Sequence, residues 1–300
     1  MPQANEPFNF SELVSSGEQP DDIPSLVSFN ARDGATLTFR RYSAESNVHV
    51  VLMHGSSAHS AYLYSFAKYL SDEQVANVYT PDLRGHGPSP QRRGDINYLS
   101  QLEDDLADLI DNIKMQATSG ARFIIAGHSS GGGLALRFCG GQYKDLPDGL
   151  WLLAPFFGHS APMAKKNSGG WASPNIPKII GLSILNGFGI KQLNGAKVLK
   201  FNLPEEYQSG AETLEYSFRL MMGMHPTDYA ASLTDLSVPL LLQVGVQDEA
   251  LYFDKFESGV KPFKTDAEIS HIEDCSHLGI TLNHSAMKET ASWVTENFIM

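Results

Sequence analysis

The chain has 300 residues, of which 42% are apolar and 19% are charged, as is usual for a soluble globular protein. This length suits one large α/β domain or two small ones, and it can bury a sizeable core without disulfides. Acidic residues outnumber basic ones by 34 to 22, and the net charge of −12 argues against nucleic acid or an anionic membrane surface as a partner.

The two cysteines, Cys139 and Cys275, are too few to make a disulfide framework, so we predict two buried thiols. The first residues lack the basic start and apolar core of a secretory signal. No run reaches the roughly 18 apolar residues of a membrane span. We therefore expect a cytoplasmic protein without stable membrane insertion, and the sequence leaves its oligomeric state open.

Strand patterns dominate much of the chain. Residues 1–24 are polar and rich in proline, so we expect a loosely ordered N-terminal arm. Two alternating segments then flank Asp33-Gly34, which predicts a β-hairpin. Apolar, β-branched runs typical of strands buried on both faces follow at 48–53, 76–82, 122–127, 149–155 and 239–245, with a weaker one at 267–274.

Amphipathic helical patterns lie between these strands. One apolar face, with acidic residues opposite, combines Leu99, Leu102, Leu106, Leu109, Ile110 and Ile113. A second face near the end of the chain combines Met287, Ala291, Val294 and Phe298. Strands that alternate with amphipathic helices predict an α/β fold, with a mostly parallel sheet covered by helices on both faces.

Residues 156–235 break this alternation, because they contain no convincing strand and are rich in Gly, Pro, Asn, Met and aromatic residues. Eighty residues are too many for a plain connection in a compact domain. We interpret the segment as an inserted helical cap. The core domain would then consist of residues 25–155 and 236–300.

A candidate nucleophile lies where a buried strand meets a helix. Gly127-His128-Ser129-Ser130-Gly131 follows an apolar run and precedes a helical pattern, the setting that the Gly-x-Ser-x-Gly motif requires. The two glycines would relieve crowding in a sharp turn and leave the hydroxyl of Ser129 exposed. The alternative is a Ser- and Gly-rich helix start with no catalytic role.

A serine nucleophile needs a base and an acid that orients it. Of the ten histidines, His277 lies just past the last predicted strand, where a loop reaches over the carboxyl edge of the sheet. Asp248 follows another strand in the same way, with Glu249 and Asp254 as nearby alternatives. The chain order Ser129, Asp248, His277 matches that of the α/β-hydrolase triad.

The motifs together resemble those of the α/β-hydrolase superfamily. The segments "MHGSS", "PDLRGHGPS", "AGHSSGG", "VGVQD" and "CSHLG" stand in its order and spacing, and the second is most similar to the monoglyceride lipase, lysophospholipase and serine-aminopeptidase-like group. The resemblance implies a triad of Ser129, Asp248 and His277, and an oxyanion hole formed by the N–H groups of Ser56 and Ser130. The doubled serine departs from the Gly-His-Ser-Met-Gly often seen in this group.

This resemblance implies a serine hydrolase that cleaves carboxylic esters without a metal or an organic cofactor. We expect the small-molecule substrate to carry an apolar part, with Trp171, Phe188 and Met222 of the cap as candidate contacts. The same triad serves aminopeptidases and other acyl-transfer enzymes. The cap acids Glu205, Glu206, Glu212 and Glu215 would suit a free amine, but we favour a solvated helix face as their interpretation. A non-catalytic binding protein of the same fold is the second alternative.

Overall fold

The predicted strands assemble as expected in the computed structural model, which describes residues 8–11, 22–166 and 170–299. The strands in chain order are β1 (Val27–Asn30), β2 (Thr36–Tyr42), β3 (Val48–Met53), β4 (Asn77–Asp82), β5 (Arg122–His128), β6 (Gly149–Leu153), β7 (Ala172–Pro174), β8 (Lys197–Phe201), β9 (Glu215–Ser217), β10 (Leu240–Gly245) and β11 (Glu268–Ile272). Eight of them form the main sheet, in the order β1-β2-β4-β3-β5-β6-β10-β11.

The helices connect the strands of this sheet. They are α1 (Tyr64–Asp72), α2 (Gln101–Lys114), α3 (Ser130–Cys139), α4 (Ile176–Gly187), α5 (Phe218–Gly223), α6 (Tyr229–Thr234), α7 (Phe256–Val260) and α8 (His284–Phe298). Short 3-10 turns cover Ser60–Leu63, Glu205–Tyr207, Phe253–Lys255 and Gly279–Thr281.

The strand order changes direction between β3 and β5, since β4 lies on one side of β3 and β5 on the other. Right-handed crossovers then place α1 and α2 on opposite faces of the sheet. Strands β3 and β5 are parallel, with Met53 opposite Gly127, so their carboxyl ends finish side by side. A crevice at such a switch point is where open α/β sheets bind ligands.

Helix α2 buries the predicted apolar face, but one detail of the prediction was wrong. Leu99 lies before the helix and is 36% exposed. Among the acids of the helix, Glu103 and Asp105 are buried. Arg137 contacts Glu103 and Arg84 contacts Asp105, each at 2.6 Å. Burial of a carboxylate is tolerable when a bidentate or charge-assisted partner compensates for lost water.

The segment 156–235 is inserted between the adjacent strands β6 and β10, and it is not wholly helical. Strands β7, β8 and β9 form a small antiparallel sheet beside helices α4, α5 and α6. Two of these strands have only three residues, too few to show an alternating pattern in the sequence. We call residues 156–235 the cap.

Both cysteines are buried, as predicted. In the described part of the chain, no helix combines the length and the apolar character needed to cross a bilayer. The expectation of a loosely ordered arm was wrong for residues 8–11, because Phe8 is buried against the rest of the protein. Residues 1–7 and 12–21 of that arm lie outside the described residues.

Helix α3 packs unusually close to the ends of β3 and β5. A Cβ atom on Gly127 would lie 2.3 Å from the carbonyl carbon of Gly131. A Cβ atom on Gly131 would lie 2.4 Å from the carbonyl oxygen of His54. Since real Cβ atoms do not approach backbone this closely, only glycine allows the three segments to meet.

We expect Gly127→Ala to lower the free energy of unfolding by about 1–3 kcal/mol, the usual cost of overpacking a buried site. The matched control is Gly181→Ala in helix α4, where a Cβ atom would meet nothing within 4 Å. That control should stabilise the protein by about 0.5–1 kcal/mol through helix propensity. Urea denaturation followed by circular dichroism measures both, and equal effects would contradict the packing argument.

Candidate active site

Ser129 occupies a strained turn between strand β5 and helix α3. Its backbone has φ 54° and ψ −121°, a conformation that costs a residue with a side chain on the order of 1–3 kcal/mol. Three hydrogen bonds hold the turn: the Ser129 N–H donates to the Leu153 carbonyl at 2.9 Å, and the Ser129 carbonyl accepts from Phe156 at 2.9 Å and Gly133 at 3.1 Å. The turn therefore presents the hydroxyl at the carboxyl edge of the sheet.

The structure brings together the three residues predicted as a triad. Ser129 Oγ lies 2.9 Å from His277 Nε2, and His277 Nδ1 lies 2.7 Å from Asp248 Oδ2. Because an ionised carboxylate only accepts hydrogen bonds, the proton sits on Nδ1 and leaves Nε2 free to accept from the hydroxyl. This is the relay needed for a serine nucleophile.

Backbone groups fix the position of Asp248. Its Oδ1 accepts from the N–H of Ala250 at 2.8 Å and from that of Leu251 at 2.7 Å, while Oδ2 faces His277. The Asp248 side chain is wholly buried and that of His277 is 3% exposed. Asp248 is therefore the acid that hydrogen-bonds the His277 ring, and the alternative candidate Asp254 pairs instead with Lys255 at the surface.

Glu249, the other alternative acid, has a different place in the site. Its Oε2 accepts from the backbone N–H of His277 at 2.9 Å, so it holds the loop and not the ring. Burial lowers the pKa of His277, but the charge and hydrogen bond of Asp248 and the charge of Glu249 outweigh it and raise the pKa above 6.5. The two carboxylates thus favour the imidazolium that forms when His277 takes a proton.

His128, within the nucleophile motif, supports the base. Its Nε2 donates to the carbonyl of His277 at 2.9 Å. Burial, and then the neighbouring His277, hold the pKa of His128 well below its usual value. A neutral His128 therefore anchors the His277 loop without adding a second positive charge beside the base.

The loop after β3 carries the other predicted site residues. Ser56 Oγ donates to Ser130 Oγ at 2.9 Å, so the two candidate oxyanion residues are neighbours. Ser130 opens helix α3, where first-turn N–H groups have no helical carbonyl to bind. The use of these two N–H groups as an oxyanion hole stays a prediction.

A buried polar chain, which sequence reasoning missed, links this loop to the cap. The hydroxyl of Tyr216 accepts from the N–H of Ser57 at 2.9 Å and donates to His86 Nε2 at 2.5 Å. The His86 ring packs at 4.9 Å against that of His54, whose Nδ1 donates to the Gly55 carbonyl at 2.9 Å. The only signal of this chain in the sequence is the pair of histidines in the "MHGSS" and "PDLRGHGPS" segments.

A cavity of about 390 Å³ opens onto Ser129 and His277. Its aromatic and aliphatic lining comes from the core, the cap and the N-terminal segment, and includes Phe8, Phe10, Ile23, Tyr62, Tyr64, Trp171, Leu203, Tyr207, Leu278 and Leu282. The volume and the apolar lining are those of a small-molecule site.

Of the three predicted cap contacts, Trp171 lines this cavity, and the other two do not belong to its described lining. Phe188 is 80% exposed at the end of helix α4, on the solvent side of the cap. Met222 packs against a small cap cluster around Leu182 and Phe218. Both expectations were wrong because an apolar residue in the cap can equally pack inside the cap or lie on its surface.

The four candidate acidic residues of the cap also differ in whether they line the cavity. Glu206 and Glu212 line the cavity, whereas Glu205 and Glu215 are exposed and are absent from its described lining. Burial raises the pKa of Glu212, but hydrogen bonds from Ser209 and the loop backbone outweigh it and lower the pKa. In the described ranges no three His, Cys, Asp or Glu side chains lie together as a metal-binding group, and metal-free chemistry stays a prediction.

Comparison with known families identifies the chain. Residues 44–279 match the family model described as "Serine aminopeptidase, S33", which covers most of the sheet and the whole cap. The chain belongs to this family of α/β hydrolases. The family accounts for the motifs of the sheet, and its members' name does not by itself fix the substrate of this chain.

The chain is also similar to other sequences and to solved structures. Uncharacterized proteins of Mycobacterium tuberculosis and Mycobacterium bovis are 31% identical over 134 residues, which are 45% of this chain and only 36% of each relative. A monoglyceride lipase of Saccharomyces cerevisiae, in complex with a substrate analog, superposes with a TM-score of 0.69 and 18% identity over 94% of this chain and 98% of that one.

A monoacylglycerol lipase of Paleococcus ferrophilus superposes with a TM-score of 0.65 and 17% identity over 87% of this chain and 99% of that one. A thermophilic esterase of Thermogutta terrifontis superposes with a TM-score of 0.61 and 20% identity over 91% of this chain and 99% of that one. At these identities, the likeness establishes the α/β-hydrolase fold alone.

The charge of Glu249 should be visible in the pH profile. His277 accepts a proton only when neutral, so kcat/KM should fall as the pH drops through its raised pKa, with a midpoint above 6.5. Glu249→Gln removes one of the charges that raise this pKa and should move the midpoint to lower pH. The control Asp254→Asn, at an exposed acid outside the relay, should leave the midpoint in place. An unmoved midpoint in both variants would contradict the role of Glu249.

Proposed function

We propose that the protein is a serine hydrolase that cleaves carboxylic esters with an apolar part, through an acyl-enzyme on Ser129. One observation carries the proposal: the hydrogen-bonded relay of Ser129, His277 and Asp248 opens directly into an aromatic-lined cavity. Membership of the hydrolase family and the fold shared with lipases and esterases support it.

In the first half of the reaction, His277 Nε2 takes the proton of Ser129 as the oxygen attacks the ester carbonyl. The N–H groups of Ser56 and Ser130 hydrogen-bond the negative oxygen that develops there. The imidazolium, stabilised by Asp248 and Glu249, then protonates the departing alcohol. The bond from the carbonyl carbon to the alcohol oxygen breaks, and the acyl group stays on Ser129.

In the second half, water replaces the alcohol beside His277. The imidazole removes a proton from this water while its oxygen attacks the acyl carbon. Collapse of the second tetrahedral intermediate breaks the bond to Ser129 Oγ, which regains its proton from His277. The products are a carboxylic acid and the restored relay.

The aminopeptidase alternative needs a free carboxylate for the substrate's amine. Glu212 is the best placed acid, but its oxygens already accept from the N–H of Ser209, the Ser209 hydroxyl and the N–H of Gly210, all within 2.9 Å. Glu206 is exposed at the cavity rim. An amine would have to displace these bonds or bind at the rim, and this favours a neutral ester.

Ser129→Ala should abolish ester turnover and leave the fold intact. Loss of the nucleophile of such a unit costs a factor on the order of 10⁶ in kcat. A fluorophosphonate should label the wild type and fail to label this variant, while the control Ser183→Ala, at an exposed position on helix α4, should label normally. A wild type that takes no label would favour the non-catalytic binding protein.

A substrate panel separates ester from amide hydrolysis. We expect p-nitrophenyl esters or monoacylglycerols to be turned over with kcat/KM at least about a hundredfold above aminoacyl p-nitroanilides, since the carboxylate of Glu212 already accepts three hydrogen bonds and an unpaired buried charge is costly. The wild type and Glu212→Gln should be assayed together. Faster anilide cleavage, lost in Glu212→Gln, would support the aminopeptidase instead.

A further inference from the structure

Phe8, from the segment 8–11, packs against the catalytic base. Its ring meets that of His277 edge-on, with centroids 5.3 Å apart, and stacks on Trp171 at 5.6 Å. Phe8 is only 7% exposed. The side chain therefore fills the space between the base and the one predicted cap residue that lines the cavity.

A specific hydrogen bond anchors this segment to the triad loop. The backbone N–H of Asn9 donates to Glu249 Oε1 at 3.0 Å, while Glu249 Oε2 accepts from the N–H of His277 at 2.9 Å. Glu249 is buried, and a charge-assisted bond of this kind is about twice as strong as a neutral one. One carboxylate thus fixes both the base and the segment that covers it.

Phe10 extends the same surface. Its ring lies 5.3 Å from that of Trp171 and 5.9 Å from that of Tyr207, and both phenylalanines line the cavity that holds Ser129. Four aromatic rings from the N-terminal segment and the cap therefore form one continuous wall. We call Phe8, Phe10, Trp171 and Tyr207 the aromatic wall.

We propose that Phe8 and Phe10 are specificity-determining residues, which contact the acyl chain of the substrate as it reacts at Ser129. The proposal rests on the ester hydrolysis proposed above. The rings of Phe8 and Phe10 carry no polar atom, so they suit a hydrocarbon chain and offer no hydrogen bond to a hydroxyl-rich leaving group. Phe8 belongs to the main cluster of buried apolar residues and Phe10 packs against it, so thermal melting accompanies each substitution.

The test compares p-nitrophenyl acetate, butyrate, octanoate and laurate in Phe8→Ala, Phe10→Ala and the wild type. One lost apolar contact is worth about 10-fold or more in discrimination, so the octanoate-to-acetate ratio of kcat/KM should fall about tenfold in each variant. Phe8→Leu, which keeps an apolar side chain, should recover most of the ratio. Phe188→Ala removes an exposed phenylalanine outside the described cavity lining and should leave the ratio unchanged.

Two further measurements distinguish failure of the proposed ester hydrolysis from failure of the acyl-chain role of Phe8 and Phe10. Fluorophosphonate labelling and ester turnover by the wild type test the proposed function, and their absence overturns both proposals. With normal labelling, a ratio within twofold of the wild type in both alanine variants overturns the acyl-chain role alone. The acyl-chain role is also overturned if the alanine variants change only the relative kcat/KM values within a series of acetate esters that differ in their alcohol. Thermal melting identifies any variant that misfolds. If Phe8→Ala misfolds, the octanoate-to-acetate ratios of the single variants Phe8→Leu and Phe10→Ala decide the outcome.

Discussion

The close approach of helix α3 to the carboxyl ends of β3 and β5 is the constraint on which the site depends. Glycines at 127 and 131 let three backbone segments meet at distances that no Cβ atom would allow. This contact places the strained turn of Ser129 beside the loop of Ser56, at the point where the strand order reverses. The positions of Ser129 and of the candidate oxyanion donors are thus set by backbone packing, and side-chain contacts make only small adjustments to them.

The sheet and the meeting of Ser129, Asp248 and His277 were predictable because the signals are local and parallel topology brings strand ends together. Buried parallel strands are continuous apolar runs, and Ser129 follows such a run directly, while Asp248 and His277 lie shortly beyond Gly245 and Ile272, where β10 and β11 end. Parallel strands end at one edge, so three residues far apart in sequence had to meet there. The choice of Asp248 over Glu249 needed the structure, because both side chains are buried and each binds a different part of His277.

The cap and the aromatic wall were not predictable in the same way. Three-residue strands carry no periodicity, and helix α4 is so generally apolar that its sequence does not separate buried Leu182 from exposed Phe188. Phe8 lies in a polar, proline-rich stretch whose composition favours a loose arm. Its burial depends on Trp171 and His277, contacts that are remote in sequence and that no local pattern encodes.

Glu249 contacts two parts of the site that are far apart in sequence, the loop of His277 and the segment that carries Phe8. Its carboxylate raises the pKa of His277, whereas burial of the ring, to which Phe8 contributes, lowers it. The same carboxylate anchors the segment that carries Phe8. The segment that carries Phe8 and part of the charge that offsets burial of the base therefore depend on one side chain. An aromatic ring can pack on the imidazole here while the pKa of His277 stays raised, because the charge and hydrogen bond of Asp248 and, to a smaller extent, the charge of Glu249 outweigh the burial.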